Sequence, residues 1–176
     1  ADDVTRSVDA GAHFLVSPGL TDELSAAMLK VDIPALPGVA TASEAMSASA
    51  AGFEAMKFFP AEQAGGLAYL KSLKGPLPDI RFCPTGSITR ERAADYLATP
   101  NVACVGGSWI ANSALIEAGD WDAITANAHA AAAIRPSDRS WPPPQRTCSS
   151  GLHRHVGSGE RSGRQGQRHL TATAAA

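Results

Sequence analysis

Ala55-Met56-Lys57-Phe58-Phe59-Pro60-Ala61-Glu62 holds a single lysine in an apolar run that a proline closes. The run has the length of a buried β-strand, and Pro60 ends it because proline cannot donate to a strand ladder. Alternation along such a strand puts Ala55, Lys57 and Phe59 on one face, Met56 and Phe58 on the other. An isolated ammonium is unfavourable there, and desolvation favours the neutral amine, the nucleophilic form that makes imines. A side chain that snorkels to the strand end and finds a carboxylate accounts for the same residues. The flanking sequence decides between them.

Working outward, the same strand–turn–helix theme recurs. Upstream, residues 12–16 are apolar and end at Ser17-Pro18-Gly19, and a helix opens on Thr21-Asp22-Glu23. Residues 33–36 end at Pro37-Gly38, before Thr41-Ala42-Ser43-Glu44, the spacing of a capping box. Downstream of Lys57, a helix is expected over about 63–73. Residues 80–83 end at Pro84-Thr85-Gly86, with a helix over 89–98, and 102–105 end at Gly106-Gly107-Ser108, with a last helix over about 121–133. Five short apolar strands alternating with helices predict βα units and a parallel sheet. Even unit lengths, and a Pro, Gly or Thr at every strand end, favour a (β/α)8 barrel over a doubly wound sheet. Five of its eight strands are legible, and the deficit lies at the N-terminus.

Charge divides the 176 residues into two kinds of sequence. Residues 1–134 carry a net −7, and residues 135–176 carry +5 from seven arginines and two acids. The second part, with Trp141-Pro142-Pro143-Pro144 and a Gly/Ser/Arg stretch, has no apolar period to build a core. It reads as a disordered tail, broken from the preceding helix as abruptly as a frame-shifted or appended end. Its arginines are not interleaved with aromatics, which argues against a nucleic-acid arm. Three cysteines do not make a disulfide scaffold. Cys83 and Cys104 fall in apolar strands and are expected to pack as small hydrophobes, while Cys148 lies in the tail. Neither a leader nor a membrane-length apolar run is legible, so a reducing cytoplasm is the expected location.

Ligands of parallel α/β folds bind at the C-terminal ends of the strands. Lys57 lies at one such end, beside Phe59. Gly86-Ser87 and Gly106-Gly107-Ser108 follow the last two strands, where free backbone N–H groups can cradle an anion. The other polar candidates are read as structural. His13 begins a strand, Glu62 stands at a helix start with an acid/base role as its alternative, and Arg90 and Arg92 form a solvated helix face. His153 and His155 make no defined metal site.

Taken in order, Ser17-Pro18-Gly19, Ile33-Pro34-Ala35-Leu36-Pro37-Gly38, Lys57-Phe58-Phe59-Pro60-Ala61-Glu62, Arg81-Phe82-Cys83-Pro84-Thr85-Gly86 and Gly106-Gly107-Ser108-Trp109 resemble the 2-keto-3-deoxy-6-phosphogluconate (KDPG) / 4-hydroxy-2-oxoglutarate (KHG) aldolases. The resemblance covers about 1–134 and none of the tail. It implies strands 4–8 of a (β/α)8 barrel, a homotrimer when full length, and a class I aldolase that uses no metal or cofactor. It makes Lys57 the Schiff-base lysine. Pro18, Phe59 and Thr85 match positions around the pyruvyl group; Gly86, Ser87, Gly107 and Ser108 match the phosphate region. The implied ligand is a phosphorylated keto acid, with neither nucleic acid nor membrane as partner. KDPG would give pyruvate and glyceraldehyde 3-phosphate, and 4-hydroxy-2-oxoglutarate would give pyruvate and glyoxylate. The galactonate-type aldolases are the near alternative. A chain that only binds phosphosugar, or assembles with full-length subunits, is the non-catalytic one.

Two departures stand out. The family's acid/base glutamate with its nearby arginine, and a Gly-Ala-Gly-Thr motif, belong to strands two and three and have no match here. Ser87 stands where a second glycine is usual. An open five-strand piece would also expose sheet edges, and is expected to be marginally stable or to aggregate.

Overall fold

The structure, a computed structural model, describes residues 2–134. The readings made for 135–176, including the tail's disorder, Cys148 and the two histidines, lie outside these residues. Helix α1 (Asp2–Asp9) leads into β1 (Leu15–Val16) and α2 (Asp22–Met28). Next come β2 (Ala35–Leu36), β3 (Gly38–Val39), α3 (Ala42–Ala51), β4 (Ala55–Phe58) and α4 (Gly66–Leu73). After β5 (Arg81–Pro84) and α5 (Arg90–Leu97), the described residues close with α6 (Ser113–Ala118) and α7 (Trp121–Ala132).

All strand pairings are parallel and follow chain order: β1 with β2, β3 with β4, β4 with β5. β2 and β3 are one extended stretch interrupted at Pro37, so the proline expected to end the strand does not. Proline cannot donate, yet its carbonyl accepts the Lys57 N–H at 2.8 Å, so the stretch keeps register across it. A fifth stave runs from 102 to 106, held to β5 by bridges Phe82–Val102 and Thr85–Gly106. Between those bridges two residues of β5 face three of the stave. That extra residue is a β-bulge, and it is why 102–105, expected as a strand, forms only isolated bridges.

Alternation builds the core. Met56, Phe58, Phe82 and Val102 point into the helix layer and are essentially inaccessible, as are Leu70 of α4 and Tyr96 of α5. The Phe82 ring meets Phe58 edge-on at 6.3 Å. Helix starts follow the side chains expected of them. Thr21 accepts from the Leu24 N–H, and Thr41 and Glu44 form the reciprocal capping box. The Glu44 carboxylate takes the N–H groups of Ala40 and Thr41, which hold it below its usual pKa.

Local expectations fail where backbone geometry overrides pattern. α4 begins at Gly66, not Gln63, because Gly65 and Gly66 both take left-handed φ (107° and 58°) and interrupt a right-handed helix. The first strand is confined to Leu15–Val16; His13, expected in a structural role at its start, lies exposed in a bend. Cys104 is also exposed rather than packed as a small hydrophobe, since the bulge carries it off the core face. α6 is an additional short helix, opened by the Asn112 side chain on the Leu115 N–H and closed by Gly119.

Candidate active site

Lys57 sits in the middle of the sheet, in register with Gly38 on one side and Cys83 on the other. Its neighbours in the strand, Met56 and Phe58, face the helices, so Lys57 is turned to the opposite, open face and is half-buried. Its Nζ lies 4.4 Å from the centre of the Phe59 ring, a cation–π distance. β5 brings Cys83 and Thr85 to the same face. The Thr85 Oγ1 stands 3.8 Å from Cys83 Sγ. Lys57, Phe59 and Thr85 are thus gathered on one wall.

Two glycines let neighbouring chain segments close on that wall. A Cβ at Gly38 would overlap the Pro18 carbonyl, so the Ser17-Pro18-Gly19 turn lies directly against the residue paired with Lys57. The Ser17 hydroxyl, buried here and overlooked in the sequence, donates to the Gly19 carbonyl at 2.7 Å and accepts the Gly38 N–H at 3.4 Å. At Gly106 a Cβ would stand 2.6 Å from Thr85 Oγ1, so only glycine lets the fifth stave pass the threonine.

The four residues matched to a phosphate region leave adjacent stave ends. Gly86 and Ser87 follow β5 with φ of 112° and 58°, and Gly107 and Ser108 follow the fifth stave. Ser87 therefore occupies a left-handed conformation that favours glycine, with its Oγ accepting from Gln63 Nε2 at 3.0 Å. The Trp109 indole covers Gly107, and the Arg90 guanidinium lies 5.9 Å from the Trp109 ring. Arg90, read as part of a solvated face, borders this end of the sheet instead.

Glu62 does not start a helix, and its side chain is engaged by α5. Its carboxylate accepts the Tyr96 hydroxyl at 2.6 Å and pairs with Arg92, both on α5. Burial, then the bond to Glu62, raises the Tyr96 phenol far above its ordinary pKa. Arg92, also read as solvated, is exposed but takes part in this anchor. Cys83 is shifted the other way, down to about 7, by the neighbouring Cys104 thiol first and then by the Thr85 hydroxyl and Lys57, against its burial.

Against known proteins, the family described as "Aldolase: KDPG and KHG aldolase" matches residues 1–127. The chain belongs to the KDPG/KHG aldolase family. It is 55% identical over 112 residues to a 2-dehydro-3-deoxy-phosphogluconate aldolase of Pseudomonas aeruginosa, covering 64% of this chain and 51% of that one. To the KHG/KDPG aldolase of Escherichia coli it is 47% identical over 117 residues, covering 66% and 55%. The chain thus spans about half the length of the curated relatives it matches. Among solved aldolases it resembles the KDPG aldolase of Legionella pneumophila with pyruvate captured as a covalent carbinolamine (48% identity, TM-score 0.68, 70% of this chain and 60% of that one). It also resembles the Zymomonas mobilis enzyme with 3-phosphoglycerate (40% identity, TM-score 0.71, 77% and 64%). These neighbours share the (β/α)-barrel architecture, of which the five parallel staves are a part.

Proposed function

We propose that Lys57 is the imine-forming lysine of a class I aldolase that cleaves 2-keto-3-deoxy-6-phosphogluconate to pyruvate and glyceraldehyde 3-phosphate. By the same chemistry 4-hydroxy-2-oxoglutarate would give pyruvate and glyoxylate. One observation carries this reading: Lys57 brings the amine of β4 to the open face between Gly38, on which Pro18 closes, and Cys83, with Phe59 at its Nζ and Thr85 two residues beyond Cys83 on the same face. The carbinolamine seen in the Legionella relative supports it by similarity.

The chemistry needs a neutral amine and a way to hold electrons. Lys57 Nζ adds to the C2 ketone, and the carbinolamine loses water to an iminium. The C4 hydroxyl then gives its proton to a bound water, the C3–C4 bond breaks to release the aldehyde, and the cationic nitrogen accepts that bond's electron pair to leave an enamine. Protonation of the enamine carbon and hydrolysis of the imine return pyruvate and free Lys57. Phe59 and Pro18 would flank the pyruvyl methylene, with Thr85 donating to its carboxylate. Gly86, Ser87, Gly107 and Ser108 would receive the phosphate of the aldehyde end through backbone N–H groups and hydroxyls.

Incubation with pyruvate and borohydride tests the assignment, because trapping needs only the amine and a ketone. Mass spectrometry should find a reduced pyruvyl adduct on the Lys57 peptide and none in Lys57→Arg. A folded sample that takes no adduct, or takes it on another lysine, would overturn it. Three finer statements belong to this proposal. The barrel portion is residues 1–134, with 135–176 a separate tail; the full-length protein is a homotrimer that binds a phosphorylated keto acid; and it works in the cytoplasm. Among the described residues no helix is long and apolar enough to cross a membrane.

A further inference from the structure

The bulge in the fifth stave has a chemical result. In regular alternation Cys83 and Cys104 would lie on opposite faces, because Phe82 and Val102 are paired and share the core side. Val105 packs against the core as well. Two residues, Ala103 and Cys104, therefore separate two core-facing valines where a regular strand allows one. The extra residue turns Cys104 out of the helix layer and toward the face that carries Cys83, Thr85 and Lys57.

Both bridges that bracket the pair are tight. Phe82 N–H donates to the Asn101 carbonyl and Ala103 N–H to the Phe82 carbonyl, each at 2.8 Å, and Gly106 N–H reaches the Pro84 carbonyl at 2.9 Å. Cys83 and Cys104 are offset by one position on neighbouring staves, whose regular spacing is about 4.8 Å. Their thiols are close enough to share a hydrogen bond, a side-chain approach compatible with the roughly 4.4–6.8 Å Cα separation of a disulfide. Cys104 is exposed and Cys83 is buried behind it, and both are free thiols.

We propose that Cys83 and Cys104 are a redox modification site, interconverting between dithiol and disulfide by exchange with a low-molecular-weight disulfide. Cys104 is the sulfur such an oxidant reaches. Its thiol loses a proton, bonds to one sulfur of the oxidant and expels the first small thiolate. The Cys83 thiolate then attacks Cys104 Sγ, breaks the mixed disulfide and expels the second thiolate. The protein thiols are oxidised by two electrons, and one small disulfide is reduced to two thiols. The two thiols share one proton unequally. The Cys104 thiol first, then the Thr85 hydroxyl and Lys57, lower the pKa of Cys83 to about 7, while the bond to Cys83 and then burial raise that of Cys104. Access therefore selects Cys104 for the first, slower step, and Cys83 is suited to the second. The site stands on the sheet geometry and not on the role assigned to Lys57.

Oxidised glutathione applied to the folded full chain tests this by non-reducing peptide mapping. The expected product is a peptide pair cross-linked between Cys83 and Cys104, two hydrogens lighter than the dithiol and restored by dithiothreitol. Cys83→Ser should strand glutathione on Cys104, and Cys104→Ser should leave Cys83 unmodified. The wild-type map alone decides the matter if a variant fails to fold. Three outcomes would overturn the proposal: both cysteines recovered as thiols, a glutathione adduct that persists on the wild-type chain, or Cys148 taken as partner in place of either.

Discussion

Ser87 is the residue whose backbone is at odds with its side chain. With φ at 58° it bears a penalty of about 1–2 kcal/mol that glycine avoids, offset in part by the Gln63 hydrogen bond. Ser87→Gly should therefore raise stability by about 1 kcal/mol, read as a higher urea midpoint at unchanged slope. An unchanged or lower midpoint would mean that the Gln63 contact outweighs the strain. Lys57 was legible in the sequence because a charge inside an apolar run stands out at once, and alternation then fixed its face and its neighbour Phe59. Cys104 was not. Its environment depends on one extra residue between two bridges, and nothing in Val102-Ala103-Cys104-Val105 marks where the alternation slips. Glu62 was misread for a similar reason: Gly65 and Gly66 delay the helix, and the carboxylate is left free to reach α5.

At the scale of elements, that reach ties the loop after β4 to α5. Glu62→Ala would leave the buried Tyr96 hydroxyl without its acceptor, and should destabilise the chain by about 1–3 kcal/mol. Chemical denaturation would measure it, and a loss below about 0.5 kcal/mol, the low end for one hydrogen bond, would show the anchor to be incidental. Burial of Tyr96, reinforced by that contact, sets an alkaline limit. The folded state keeps the Tyr96 proton while an unfolded chain releases it near the ordinary phenol value of 10.0. Above that pH the unfolded state binds fewer protons, so stability should fall as pH rises. Denaturation at pH 9 and pH 11 should show a smaller drop for Tyr96→Phe than for the parent; equal drops would assign the effect to other groups. The element pattern itself was readable, since the capping box at Thr41 and Glu44 and the Pro/Gly strand ends are local signals. Boundaries were less so. Pro37 reads as a stop, yet its carbonyl keeps the strand going, and the short α6 carries too few residues to show a period.

For the molecule as a whole, the described sheet has two ends. Among the described residues nothing pairs with the outer side of β1, and Val16 and Phe14, at 47% and 44% exposure, stand beside it. An apolar open edge invites pairing with another chain. Val16→Lys should lower the weight-average mass seen by light scattering, and no change would place self-association elsewhere. Strand order carries a further consequence, for how the chain is made. Each stave after the first is bonded to the one synthesised just before it, so each new unit emerges from the ribosome onto a template that already exists. No pairing among the described strands waits for a distant C-terminal segment, and each loop to be closed is short. The sheet can grow one stave at a time, in the direction of translation.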